Sequence, residues 1–303
     1  MPETPITFAR SHVNGVTLHY AHAGDPGRPL MLFLHGFPEF WYAWHAQLRE
    51  FGRDHFAVAP DTRGVNLSDK PGTLPDYRAQ AIVADLVELV QALGYRQCVL
   101  VGHDWGGALA FAMAIARPDM VRRLVILNAV HPWTFARELC HNQKQIDASA
   151  YMNRFRQSDA AATLLADDCA WLRGMLADHD GHAPRWFDAE TAARYIAAWT
   201  QPGAITAALN YYRASPLHPA TDTEPGACAV TIDPATVQVT MPTLVLWGEQ
   251  DRHLLPGCLH DLERVVPDLR VQYLPDASHW IVHEQPDVVN RMIRAFVEQE
   301  PAT

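Results

Sequence analysis

Positive charge is scarce in this 303-residue chain: 24 lysines and arginines face 34 aspartates and glutamates, a formal net charge of −10. Such a surface repels a phosphate backbone, and no Lys/Arg run offsets it, so nucleic acid and anionic membrane are poor partners. Long apolar runs are missing too. None approaches the roughly 20 residues of a spanning helix, and the opening MPETPITFAR has neither a basic start nor an apolar stretch for secretion. Cysteines are few, odd in number and scattered (Cys98, Cys140, Cys169, Cys228, Cys258), with no C-x-x-C pair. They read as buried or incidental thiols of a reduced cytoplasm, not as a disulfide frame. No G-x-G-x-x-G or Walker sequence offers a nucleotide site. His279 and His283 stand four apart, as two ligands on a helix would, but no H-E-x-x-H accompanies them, so neither a metal nor any other cofactor is expected.

What is present is ordinary globular material. Hydrophobic residues make up 49% and charged residues 19%, which excludes disorder, collagen and coiled coil. Short, near-continuous apolar runs recur at residues 30–34, 56–59, 98–101, 124–127, 243–247 and 271–274, each followed by turn residues. Strands of that kind are buried on both faces, the mark of a mostly parallel sheet covered by helices. Residues 81–93 carry the helical period and stop at Gly94. The strand–helix alternation predicts an α/β domain. It breaks between about 130 and 239, where segments 142–155, 160–176, 189–200 and 204–213 read as helices and Trp133, Trp171, Trp186 and Trp199 cluster. This stretch is expected to be a helical cap inserted between two strands, with 216–240 as a long return loop. The expected division is core at 1–130, cap at 131–239 and core again at 240–303.

The run from Cys98 ends in Gly102-His103-Asp104-Trp105-Gly106 and a helical pattern opens at once. This is a G-x-Nuc-x-G elbow with Asp in the nucleophile's place. A sharp strand-to-helix turn thrusts its central side chain into a cleft, and side chains on the flanking positions would collide with neighbouring strands. An Asp that merely caps a helix is common, but capping does not ask for two glycines behind a buried strand.

With those residues the chain resembles an α/β-hydrolase of the epoxide hydrolase and haloalkane dehalogenase branch, over about residues 8 to 297. The resemblance implies an eight-stranded, mostly parallel sheet flanked by helices, with the helical cap as a lid. In Phe33-Leu34-His35-Gly36-Phe37-Pro38 it implies an oxyanion loop, with the backbone N–H of Phe37 as one donor and that of Trp105 as the other. Pro38 would fix the turn, for which a cis bond is one route. In Gly248-Glu249-Gln250-Asp251 it makes Asp251 the acid, with Glu249 the local rival. In Ala277-Ser278-His279-Trp280 it makes His279 the base. Trp105, Phe37 and His103 are then expected on the substrate-binding wall, while Arg63 and Asp69 read as scaffold.

The leaving group is decided in the cap. Epoxide opening produces an alkoxide, which needs a proton donor of high pKa, and a phenol suits. Ala150-Tyr151-Met152-Asn153 and Asn210-Tyr211-Tyr212-Arg213 resemble the two lid segments of epoxide hydrolases, with Tyr151 and Tyr212 as donors and Tyr211 a packing neighbour. The expected enzyme is a cofactor-independent epoxide hydrolase. Its expected partners are a small apolar epoxide and water, with homodimer formation left open. Trp105 keeps a haloalkane dehalogenase as the alternative. A hydrolase-fold binding protein is a further one, against which the intact Asp104, Asp251 and His279 argue.

Overall fold

The computed structural model describes residues 4–177 and 182–299. All six apolar runs become strands: Leu30–Leu34 (β3), Phe56–Pro60 (β4), Cys98–His103 (β5), Val121–Leu127 (β6), Thr243–Gly248 (β7) and Leu269–Leu274 (β8). Every residue of β3, β4, β5 and β7 is buried, as strands covered on both faces must be. Two further strands precede them, Thr7–Val13 (β1) and Val16–Ala23 (β2). They form an antiparallel hairpin closed by Asn14 and Gly15 at φ 45° and 75°, the conformation a two-residue hairpin turn requires. β1 is a largely exposed edge strand, so it carries no apolar run to announce it.

The sheet order is β1-β2-β4-β3-β5-β6-β7-β8. β2 runs antiparallel to β1 and β4, and every other pairing is parallel. The strand order reverses between β3 and β5, and the crevice at their carboxyl ends is where such sheets place ligands. Helices His45–Phe51 (α1), Ala79–Ala92 (α2) and Trp105–Ala116 (α3) flank the sheet, α2 against α3. The chain ends in Ile281–Glu284 (α10) and Pro286–Val297 (α11), the latter packed on α1.

Between β6 and β7 the described residues contain six helices and no strand: Pro132–His141 (α4), Gln143–Ala148 (α5), Ala150–Phe155 (α6), Ala160–Met175 (α7), Ala189–Trp199 (α8) and Ala204–Ala214 (α9). The expected helix 142–155 is thus two short helices meeting at Ser149. The expected helix 160–176 is broken as well: Asp167, Asp168 and Cys169 have φ of 50°, 55° and 57°, a region Asp tolerates better than most residues. From α9 the chain returns to β7 through two single turns, Gly226–Ala229 and Pro234–Thr236.

The cysteine expectation needs correction. Cys140, in the last turn of α4, and Cys228, in the first return turn, form a disulfide with Cα atoms 5.1 Å apart across 88 residues. Their proximity comes from the packing of α4 against the return segment, which sequence spacing does not encode. Cys98, Cys169 and Cys258 are free and buried. No described helix is long and apolar enough to cross a membrane.

Candidate active site

β5 passes directly into α3 through Asp104, which caps the helix at φ 51°, ψ −123°, a conformation costly for any residue with a side chain. The turn closes only because its flanks lack Cβ atoms. One on Gly106 would lie 2.1 Å from the Leu34 carbonyl oxygen, and one on Gly102 would lie 2.4 Å from that of Gly106. The carboxylate therefore stands at the β3/β5 crevice, beside the loop after β3. There the Phe37 N–H donates to Asp104 Oδ1 at 2.8 Å, and the Phe37–Pro38 bond is cis. Burial pushes the Asp104 carboxyl up, but His279, His103 and the Phe37 N–H outweigh it and hold it below the usual carboxylate range.

The loops after β7 and β8 bring Asp251 and His279 to the same place. His279 Nδ1 bonds Asp251 Oδ2 at 2.7 Å, and its Nε2 faces Asp104 Oδ2 at 3.6 Å. Asp251 is saturated: Oδ1 accepts the N–H groups of His253 and Leu254 at 2.7 and 3.0 Å, and Oδ2 also accepts Asn128 Nδ2 at 2.7 Å. Burial raises the Asp251 carboxyl, yet His279 above all, together with the Leu254 N–H, brings it to about 2. Burial lowers the His279 imidazole, yet the two carboxylates bring it to about 10. At neutral pH this is an imidazolium between two aspartates. Glu249, the rival acid, is exposed.

Tyr151 on α6 and Tyr212 on α9 face Asp104 from the cap across one cavity. Their ring centroids are 6.2 Å apart, and Tyr212 packs edge-on against Trp105 at 5.2 Å and Phe37 at 5.4 Å. Burial, with the nearby Asp104 carboxylate adding to it, raises both phenols well above their ordinary value. Tyr211, one position earlier, spends its hydroxyl on the core, donating to Thr62 Oγ1 and the Arg63 carbonyl at 2.9 and 2.8 Å. The cavity measures about 850 Å³ and is walled by Trp105, Ala108, Leu109, Phe135, Val230 and Ile232 among others. That lies in the upper part of the range for drug-sized ligands. Among the described residues its charged lining is Asp104 and Arg78.

His103 does not belong to this wall. It is fully buried beneath the loops, with Nδ1 3.1 Å from Glu39 Oε2 and Nε2 2.8 Å from the His279 carbonyl oxygen. Neighbouring residues of a strand point to opposite sides, so adjacency to Asp104 carried no information about its direction. Glu39 is the centre of that second network: its Oε1 accepts Tyr195 OH at 2.8 Å and faces His283 Nε2 at 2.5 Å. Burial opposes its charge, but His283 and His103 hold the carboxyl well below its usual range. Neither Glu39 nor Asn128 stood out in the sequence. The signals available were a Glu directly after the oxyanion loop and an Asn at the end of β6, where φ is 37°. Among the described residues no group of three or more His, Cys, Asp or Glu side chains could hold a metal ion.

Fold and site together define an α/β hydrolase whose elbow carries a carboxylate. The sequence model of the alpha/beta hydrolase fold matches residues 29–286. Epoxide hydrolase 3 of Xenopus tropicalis is 36% identical over 97% of this chain and 78% of its own, and epoxide hydrolase 4 of Mus musculus is 34% identical over 97% and 79%. A crystal structure of the Bacillus megaterium epoxide hydrolase with an inhibitor superposes with a TM-score of 0.88 at 35% identity, covering 96% of this chain and all of that one. The chain belongs to the epoxide hydrolase family of the α/β-hydrolase superfamily.

Proposed function

We propose that this protein hydrolyses epoxides to vicinal diols through a covalent ester on Asp104, with residues 131–239 acting as the lid. The observation that carries the reading is the facing arrangement: one carboxylate at the elbow, an imidazole behind it, and two phenols opposite it across an apolar cavity. Tyr151 and Tyr212 hydrogen-bond the epoxide oxygen. Asp104 Oδ2 attacks a ring carbon, the carbon–oxygen bond breaks, and one phenol gives its proton to the alkoxide. The phenolate recovers a proton from the His279 imidazolium, whose affinity for it falls once alkylation removes the Asp104 charge. Neutral His279, oriented by Asp251, then takes a proton from water, which attacks the ester carbonyl. Oδ1 of Asp104 becomes the oxyanion, held by the N–H groups of Phe37 and Trp105. Collapse frees the diol and returns Asp104 as carboxylate and His279 as imidazolium.

The volume of the cavity favours an epoxide with a sizeable apolar body over the small one expected from sequence. A panel of epoxides and haloalkanes tests the reading: diol without halide release supports it, and halide release without diol overturns it. The cytoplasm, as expected from sequence, is the proposed compartment, tested by cell fractionation with immunoblotting, where recovery of the protein outside the cytoplasmic fraction would overturn it. Sedimentation decides whether two copies associate.

A further inference from the structure

Gln145 on α5 belongs to none of the groups described so far, yet its side chain is completely buried and both ends of its amide are used. Oε1 accepts the Leu255 N–H at 2.8 Å and faces the Cys258 thiol at 3.4 Å. Nε2 donates to the His253 carbonyl oxygen and to Ser149 Oγ, both at 2.8 Å. A buried amide so engaged holds one position, because any shift leaves polar atoms unpaired.

Its partners fall into two groups. His253, Leu255 and Cys258 belong to the loop after β7, whose N–H groups at His253 and Leu254 grip Asp251. Ser149 is the N-cap of α6, the helix that carries Tyr151. The Ser149 side chain makes no capping bond, so its hydroxyl serves the bridge to Gln145. The His253 ring fills the space between the two halves. It stands edge-on at 5.3 Å from Tyr151 and 5.3 Å from His279, with burial and His279 lowering its pKa to about 4, so it adds no charge at neutral pH.

We propose that Gln145 is a positioning residue for ring opening: through Ser149 on one side and the acid loop on the other, it sets the Tyr151 phenol against Asp104 and His279. The inference rests on the epoxide hydrolase reading. It names the element that keeps a donor from the lid in register with a carboxylate from the core, where displacement of a reacting group by about 1 Å can cost on the order of 10²-fold.

The test is a double-mutant cycle on single-turnover ring opening, with styrene oxide as the probe. Gln145→Leu should slow opening roughly ten- to hundred-fold, with little change in KM. In a Tyr151→Phe background the same change should cost no more than about two-fold, because the group being positioned is gone. Ser149→Ala cuts only the lid side of the bridge and should show the same pattern in milder form. It decides the matter where Gln145→Leu fails to fold. Equal fold-losses in both backgrounds, or no loss in the parent background, overturn the proposal. Failure of the parent to make any diol would instead overturn the epoxide hydrolase reading, and the inference with it.

Discussion

The backbone N–H of Phe37 holds Oδ1 of Asp104 at 2.8 Å and leaves Oδ2 to face His279 at 3.6 Å. The two carboxylate oxygens are therefore already different before substrate arrives. Oδ2 is free to attack, while Oδ1 sits where the ester carbonyl, and later the oxyanion, needs a donor. This division assigns each oxygen a fate that can be followed.

Replacing His279 should separate the two chemical steps. Ring opening calls on Asp104 and the phenols, whereas ester hydrolysis needs a base for water. His279→Gln should accumulate a covalent adduct on the Asp104 peptide, read by intact-protein and peptide mass spectrometry, and Asp104→Ala should form none. An His279→Gln protein that binds substrate but never becomes alkylated would contradict the scheme.

Oxygen labelling follows the same atoms. In one turnover in heavy-oxygen water, the label should enter the Asp104 carboxylate and the diol should stay unlabelled, since Oδ2 leaves with the product. Label in the first-turnover diol, with Asp104 unlabelled, would mean direct attack of water on the epoxide.

The lid phenols separate epoxide from halide chemistry. Tyr151→Phe or Tyr212→Phe should each slow ring opening, and the pair together should come near to abolishing it, since loss of an oriented acid costs on the order of 10²–10⁴ in rate. A single surviving phenol still donates one hydrogen bond, so the losses should not add. Hydrolysis of a pre-formed ester should barely change. A dehalogenase would ignore both tyrosine changes and lose halide release with Trp105→Phe.

Stability should carry the signature of His279. Its pKa rises from an unfolded value of about 6.5 to about 10 in the fold, so the folded state holds the proton more tightly. That contribution is fully present below pH 6.5 and is lost as pH climbs toward 10. Urea midpoints of the parent and of His279→Gln should therefore converge between pH 6 and pH 10. A gap independent of pH across that window would contradict the pairing with Asp251 and Asp104.

The bridge between Cys140 and Cys228 should be measurable as stability. It closes 88 residues, and its loss through Cys140→Ser should cost about 2–4 kcal/mol in denaturant unfolding. Thiol titration of the unfolded, unreduced chain should find three groups, Cys98, Cys169 and Cys258. Five would show that the bridge does not form.

The elbow was legible because its physics leaves marks on sequence: a strained turn between a buried strand and a helix needs Gly102 and Gly106, and few other patterns do. The β1–β2 hairpin also left a mark, Asn14-Gly15, but its exposed edge strand lacked the apolar run on which strand reading relied. His103 was misplaced because sequence adjacency to Asp104 says nothing of facing direction. Glu39, Asn128 and Gln145 were out of reach for a different reason. Their partners His103, Asp251 and His253 lie 64, 123 and 108 positions away, and only the folded topology brings them together. Tyr211 and Tyr212 were told apart by resemblance alone, and the hydroxyl partners of Tyr211 supply the physical reason afterwards.

Three aromatic side chains fasten the helical insertion to the core. Trp199 Nε1 donates to the Pro38 carbonyl at 2.6 Å, Tyr195 holds Glu39, and Tyr211 holds Thr62 and Arg63. These bonds tie α8 and α9 to the oxyanion side of the core. Residues within 75–81 and 230–232 also line the cavity, and among the described residues no hydrogen bond joins those two segments. Substitutions at Arg78, Gln80 or Ile232 would therefore reshape the cavity wall without touching a residue assigned to the chemistry.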